Sequence, residues 1–155
     1  MKLEKWAFIA EITSGLAVVV TLVFLVMELR DNTEELRVAS RQSLASRAET
    51  YLLLRANTPE LAEIMAKTID GQEISPAERW MYQGYIAAIL RNAEEAFLLA
   101  QEGRVDSVYA GQRINAAASY FVTRQACGIY SFNRSEDMYD ARFLDDFGAR
   151  VDCSQ

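Results

Sequence analysis

Histidine is missing from the 155 residues altogether. That absence removes Ser-His-Asp and Cys-His catalysis, the usual zinc sites, histidine-ligated haem and the Glu-x-x-His di-iron motif of helical bundles. Cysteine occurs twice, at Cys127 and Cys153, with no C-x-x-C partner for either. The spacing is neither a redox motif nor a disulfide framework. Both read as small apolar fillers, and a bond between them requires that this end of the chain face an oxidising compartment. Clustered basic charge is lacking too: the net charge is −6. Arg30, Arg37, Arg41 and Arg47 are interleaved with Glu34, Glu35 and Glu49. A nucleic-acid binder needs a basic face to neutralise phosphates, so the charge pattern argues against such a partner.

Two prolines, seven glycines, no strand alternation and no Asn-Gly hairpin signal point to an all-α chain of one domain's length. Its dominant feature is "AEITSGLAVVVTLVFLVMELRDNT", from Ala10 to Thr33. Ile12 to Met27 is an uncharged run of 16 residues. As helix, Trp6–Leu29 would extend about 36 Å, against about 30 Å of bilayer hydrocarbon. Glu11 then falls near a headgroup boundary, where an acidic group costs less than at the bilayer centre. A cleaved signal peptide fits less well, because "FLVMELRD" offers no small-residue cleavage site. A buried soluble helix would need a larger core than this chain can build. The expectation is a transmembrane anchor over residues 1–30 and a domain of about five helices over 31–155.

Ala10, Ser14, Ala17 and Thr21 lie on one face of the span, with Glu11 beside them. Small residues let a second helix approach closely and hydroxyls bond across. The face therefore suits contact with another membrane protein or with a second copy. Lys2 and Lys5 precede the span, while Arg30 and Arg37 closely follow it, so the charge balance leans toward a cytoplasmic C-terminal part.

Caps divide the remainder. Asp31 and Asn32 stand at capping-box spacing before Glu34 and Glu35 and predict a new helix over about 34–56. Thr58-Pro59 opens a short helix that Gly71 closes. Ser75-Pro76-Ala77-Glu78 opens a long one that Gly103 ends. Asp106 caps a helix to about Cys127, and Ser135 caps a last one carrying Tyr139, Phe143, Phe147 and Val151. Trp80, Tyr82, Tyr85, Tyr109, Tyr120, Phe121 and Tyr130 read first as core, then as a partner or headgroup surface.

Within the long helix Arg91, Asn92, Glu94 and Glu95 form a polar cluster. Arg91 and Glu95, four apart, stand where opposite charges meet on a helix surface, and the cluster reads as a structural ion pair with hydrogen bonds joining neighbouring helices. Read as a site, the cluster would be an anion clamp or an acid/base pair. Five carboxylates fall within residues 136–146, without calcium-loop spacing, and read as a solvated face. No cofactor, metal ligand set or catalytic residue emerges from these patterns.

"EITSGLAVVVTLVFLVMELRDNT" also resembles a family of small uncharacterised bacterial proteins whose pattern runs E-I-x-G-x-x-A-V-V-x-T-L-x-[YF]-L-x-x-[EQ]-[IL]-R-x-N-T. Arg91, Glu94 and Phe97 match the family's R-x-x-E-x-x-F, and Gly103 and Asp106 its G-x-x-D. The chain departs at Ser14 and Gly15, and has Tyr109 where tryptophans follow the turn. The resemblance implies an N-terminal helix in the bacterial inner membrane joined to a helical domain, and brings no catalytic residues. The expected function is that of a non-catalytic single-pass membrane protein, assembling with itself or as an accessory subunit of a larger membrane complex. Alternatives are a small-molecule sensor or enzyme using the polar cluster, and an oligomeric pore ringed by Glu11.

Overall fold

The structure is a computed structural model that describes residues 2–153; the side chains of 2–5, 7–10 and 12 lie outside the described residues. Six helices and no strands are found among the described residues: α1 Lys2–Asn57, α2 Pro59–Ile69, α3 Pro76–Gln101, α4 Ser107–Ala118, α5 Arg124–Ser135 and α6 Ala141–Gly148. The chain divides into two compact units, Met1–Val38 and Ala39–Gln155.

In the first unit α1 does not stop at Asp31 and Asn32. The predicted cap there is unused, and helix runs through it. No glycine or proline occurs between Gly15 and Pro59, and each Asp or Asn inside a helix costs only about 0.7 kcal/mol relative to alanine. Thr33 bonds back to the Leu29 carbonyl at 2.7 Å, satisfying its hydroxyl within the helix. Every described side chain from 13 to 38 is exposed, among them Leu16, Val18, Leu22, Phe24 and Leu25. Mean hydropathy reaches 1.8 in the most apolar 18-residue window, none of it buried. By length and composition this helix is able to cross a membrane.

The second unit is arranged around α3, which touches α2, α4, α5 and α6. Ser75 and Glu78 form the complete capping box, with Pro76 at the first turn. Gly71 and Gly103 both adopt φ +69°, the left-handed turn that ends α2 and α3 as expected. Tyr82, Ile86, Ile89, Leu90 and Ala93 of α3 are buried against Leu61 and Ile64 of α2, Ile114 of α4 and Phe143 and Phe147 of α6. The last part of α1 contributes Leu44, fully buried with Ala96, Val105 and Ala110.

Two expected helix limits move. The helix predicted from Asp106 to Cys127 is broken at 119–123, where Thr123 accepts from the Ala126 amide and caps α5. The break turns Phe121 into the core, 1% exposed. Ser135 does not open the last helix; it belongs to α5, and Asp140 caps α6 through the Arg142 and Phe143 amides. Asp137, at φ +50°, makes the intervening turn. Tyr139, Phe143 and Phe147 are buried as their spacing predicts, and Val151 packs against the same cluster. The filler reading of the cysteines is corrected: Cys127 and Cys153 are bonded, with Cα atoms 5.5 Å apart. Tyr130 donates to the Leu144 carbonyl at 2.9 Å, and its oxygen would lie 2.5 Å from a Cβ on Gly148, closer than side-chain carbons pack.

Lys67 of α2 donates to Glu78 at 2.8 Å, so the α3 cap is also an inter-helix contact. That bond and the Ser75 backbone amide hold the Glu78 carboxyl down to about 2. A depressed carboxylate supports the fold above its ordinary range near 4.5 and loses that support as pH falls toward 2. An NMR titration should place the Glu78 midpoint near 2; a midpoint near 4.5 would mean the contact does not persist in solution.

Candidate functional site

The polar cluster of α3 does not converge on one point. Residues 91, 94 and 95 share a helix side, while Asn92 turns away and is buried, its Nδ2 without a hydrogen-bond partner among the described residues. Arg91 Nη1 donates to Glu94 Oε2 at 2.6 Å, and Nη2 to the Met138 carbonyl at 3.3 Å. The Arg91 guanidinium also lies 4.2 Å from the Tyr139 ring centroid, a cation–π stack. Glu94, only 5% exposed, accepts the Asp140 amide on its other oxygen at 2.6 Å. Burial pushes the Tyr139 phenol above its ordinary value, with Arg91 opposing that shift.

The predicted Arg91–Glu95 pair is therefore corrected. Arg91 pairs with Glu94 one residue earlier, and Glu95 reaches Arg47 of α1. Glu94 is the nearer carboxylate once the 136–140 turn supplies a second donor for it. Together Arg91 and Glu94 fasten that turn and the start of α6 to α3. Glu95 instead fastens α3 to α1, as Asp106 does through Arg41. The Tyr109 amide, more than Arg41, holds the Asp106 carboxyl below its ordinary range.

The acidic residues of the C-terminal part are distributed singly. Asp140 caps α6 and pairs with Arg142, Asp145 pairs with Arg134, and Asp146 with Arg150. No group of three metal-ligating side chains occurs among the described residues.

On α1, Glu11, Ser14, Ala17 and Thr21 are exposed, and the side chain of Ala10 lies outside the described residues. Thr21 donates back to the Ala17 carbonyl at 2.9 Å, so its hydrogen is already used inside the helix and its oxygen is left to accept. Exposure and one helical face make Ser14, Ala17 and Thr21 available to a second helix.

One feature had no sequence signal beyond the aromatic pattern. A groove of about 1010 Å³ runs along the first half of α3 and α5, with Trp80 and Phe132 on its walls. Tyr82, Tyr85, Phe121 and Tyr130 are core, whereas Trp80 is 77% exposed. None of Arg91, Asn92, Glu94 or Glu95 lines the groove. No family model, curated protein or solved structure matches the chain.

Replacing Glu94 by Ala should cost about 2–3 kcal/mol, through two lost charge-assisted bonds and a stranded Asp140 amide. Glu95→Ala, removing a partly solvated pair, should cost under about 1 kcal/mol. Urea unfolding followed by circular dichroism reads both; equal effects would remove the structural role assigned to Glu94.

Proposed function

We propose that the chain is a non-catalytic single-pass membrane protein that acts through helix–helix assembly, with itself or as an accessory subunit of a larger membrane complex. The observation carrying this reading is the uncovered apolar stretch of α1, every described side chain of which is exposed from residue 13 to 27. Each large apolar side chain left in water forgoes about 1.5–3 kcal/mol, and lipid or a neighbouring span recovers it. The paired state of Arg91, Glu94 and Glu95 supports an architectural use of the polar cluster over a sensor or enzyme site. The family resemblance supports the bacterial inner membrane as the location.

If α1 lies in lipid, Ser14→Leu with Ala17→Leu should block close approach of a second helix. Native size in mild detergent should then fall, or a co-purified partner be lost. Unchanged size and partners would remove this face from the assembly.

For orientation, positive charge after the span leans toward a cytoplasmic domain, whereas the Cys127–Cys153 bond favours the opposite side. Bonds of this kind are rare where thiols are kept reduced, and charge on both flanks makes the first argument weak. We place residues 39–155 on the oxidising side. Trapping thiols in intact cells should leave both cysteines unalkylated until reductant is added. Two free thiols would return the domain to the cytoplasm.

A further inference from the structure

We propose that the groove along α3 and α5 docks an acidic amphipathic helix of a partner protein. Ile74, Ala87 and Ile129 make its floor largely apolar, beside the buried Tyr82 and Asn133, and its walls include exposed Trp80, Phe132 and Met138. These wall residues lie together on one surface while the other large aromatics of α3 are packed inward. Charge decides the occupant. The cations Arg41, Arg47, Lys67, Arg91, Arg134, Arg142 and Arg150 each hold a carboxylate; Arg30, Arg55 and Arg113 form no ion pair among the described residues, and none of these three lines the groove. Arg79 and Arg124, both exposed and both lining the groove, form no ion pair among the described residues, and no Asp or Glu lines it. On a chain of net charge −6, an apolar channel edged by unmatched guanidiniums complements a ligand that is apolar on one face and anionic beside it.

The dimensions suit a helix. Pro76 to Ala87 of α3 extends about 17 Å, three turns, enough for apolar anchors at i, i+4 and i+7. The exposed walls leave one side open, whereas a small amphiphile is held in a site that buries most of its surface. This surface lies wholly within residues 39–155 and does not depend on what the apolar part of α1 contacts.

Trp6 and Trp80 are the two tryptophans of the chain, so Trp6→Phe leaves Trp80 as the sole reporter. Full-length protein in neutral phosphatidylcholine nanodiscs is titrated with a synthetic 14-residue helix carrying Leu on one face and Glu on the other. The same peptide with Lys for Glu is the control. The expected result is a saturable blue shift of Trp80 emission with the Glu peptide and none with the Lys peptide. Arg79→Glu with Arg124→Glu, both exposed positions, should weaken binding at least about tenfold at unchanged helicity. No saturable shift, equal response to both peptides, or unchanged affinity in the double variant would overturn the proposal. So would a shift produced without peptide by phosphatidylglycerol in the disc, which would assign the groove to lipid headgroups. A shift on passing from one to two copies per disc would assign it to a second copy and likewise overturn it.

Discussion

Burial of α3 is the constraint on which the rest of residues 39–155 depends. Helices α2, α4, α5 and α6 pack on it, and its apolar positions reach the main core on one side and Leu44 of α1 with Ala96 on the other. It must also satisfy the carboxylate it carries inward. Glu94 does so by accepting from Arg91 and from the Asp140 amide, a backbone group that would otherwise lack a partner at the start of α6. Glu94 and Glu95 of α3 are thus connectors: each meets a different neighbour, the start of α6 through Glu94 and α1 through Glu95. A catalytic set needs the reverse, several groups sharing one open space.

The first half of α1 follows a different rule. It has no polar face from 16 to 27, and nothing in its own unit covers it. Glu11 and Glu28 bound the uncharged run, so the cost of immersing a charge falls at the ends of the apolar stretch. Thr21 fits the same environment, since its hydroxyl is satisfied by its own helix.

Sequence reasoning read the fold best where backbone chemistry is local. Ser75-Pro76 with Glu78, Gly71 and Gly103 act through a few adjacent residues, and each stands where it was expected. It read less well where a local signal competes with context. Asp31 and Asn32 resemble a cap, yet without a helix breaker the backbone continues through them. Thr123 is a weaker cap by composition, yet the burial of Phe121 and a hydroxyl contact with Tyr82 at 3.1 Å settle the chain there. The same limit governs the sites. Residues 91, 94 and 95 were visible as a cluster, but choosing Glu94 over Glu95 required a turn nearly fifty residues away. The groove was hidden because helical spacing sets Trp80 on the face opposite Tyr82 but does not tell which neighbouring helix leaves that face open. Cysteine pairing was equally non-local.

Gly148 has a consequence of its own. The oxygen of Tyr130 stands only 2.5 Å from where any other residue would place its first side-chain carbon, and that oxygen also donates to Leu144 and accepts from Arg134. Positions 130 and 148 therefore form a single unit of sequence variation. A phenylalanine at 130 would vacate the space for alanine at 148, whereas alanine beside tyrosine would collide. Among chains sharing this fold, the two identities should change together, and Arg134, whose hydrogen bond depends on the phenol, should drift with them.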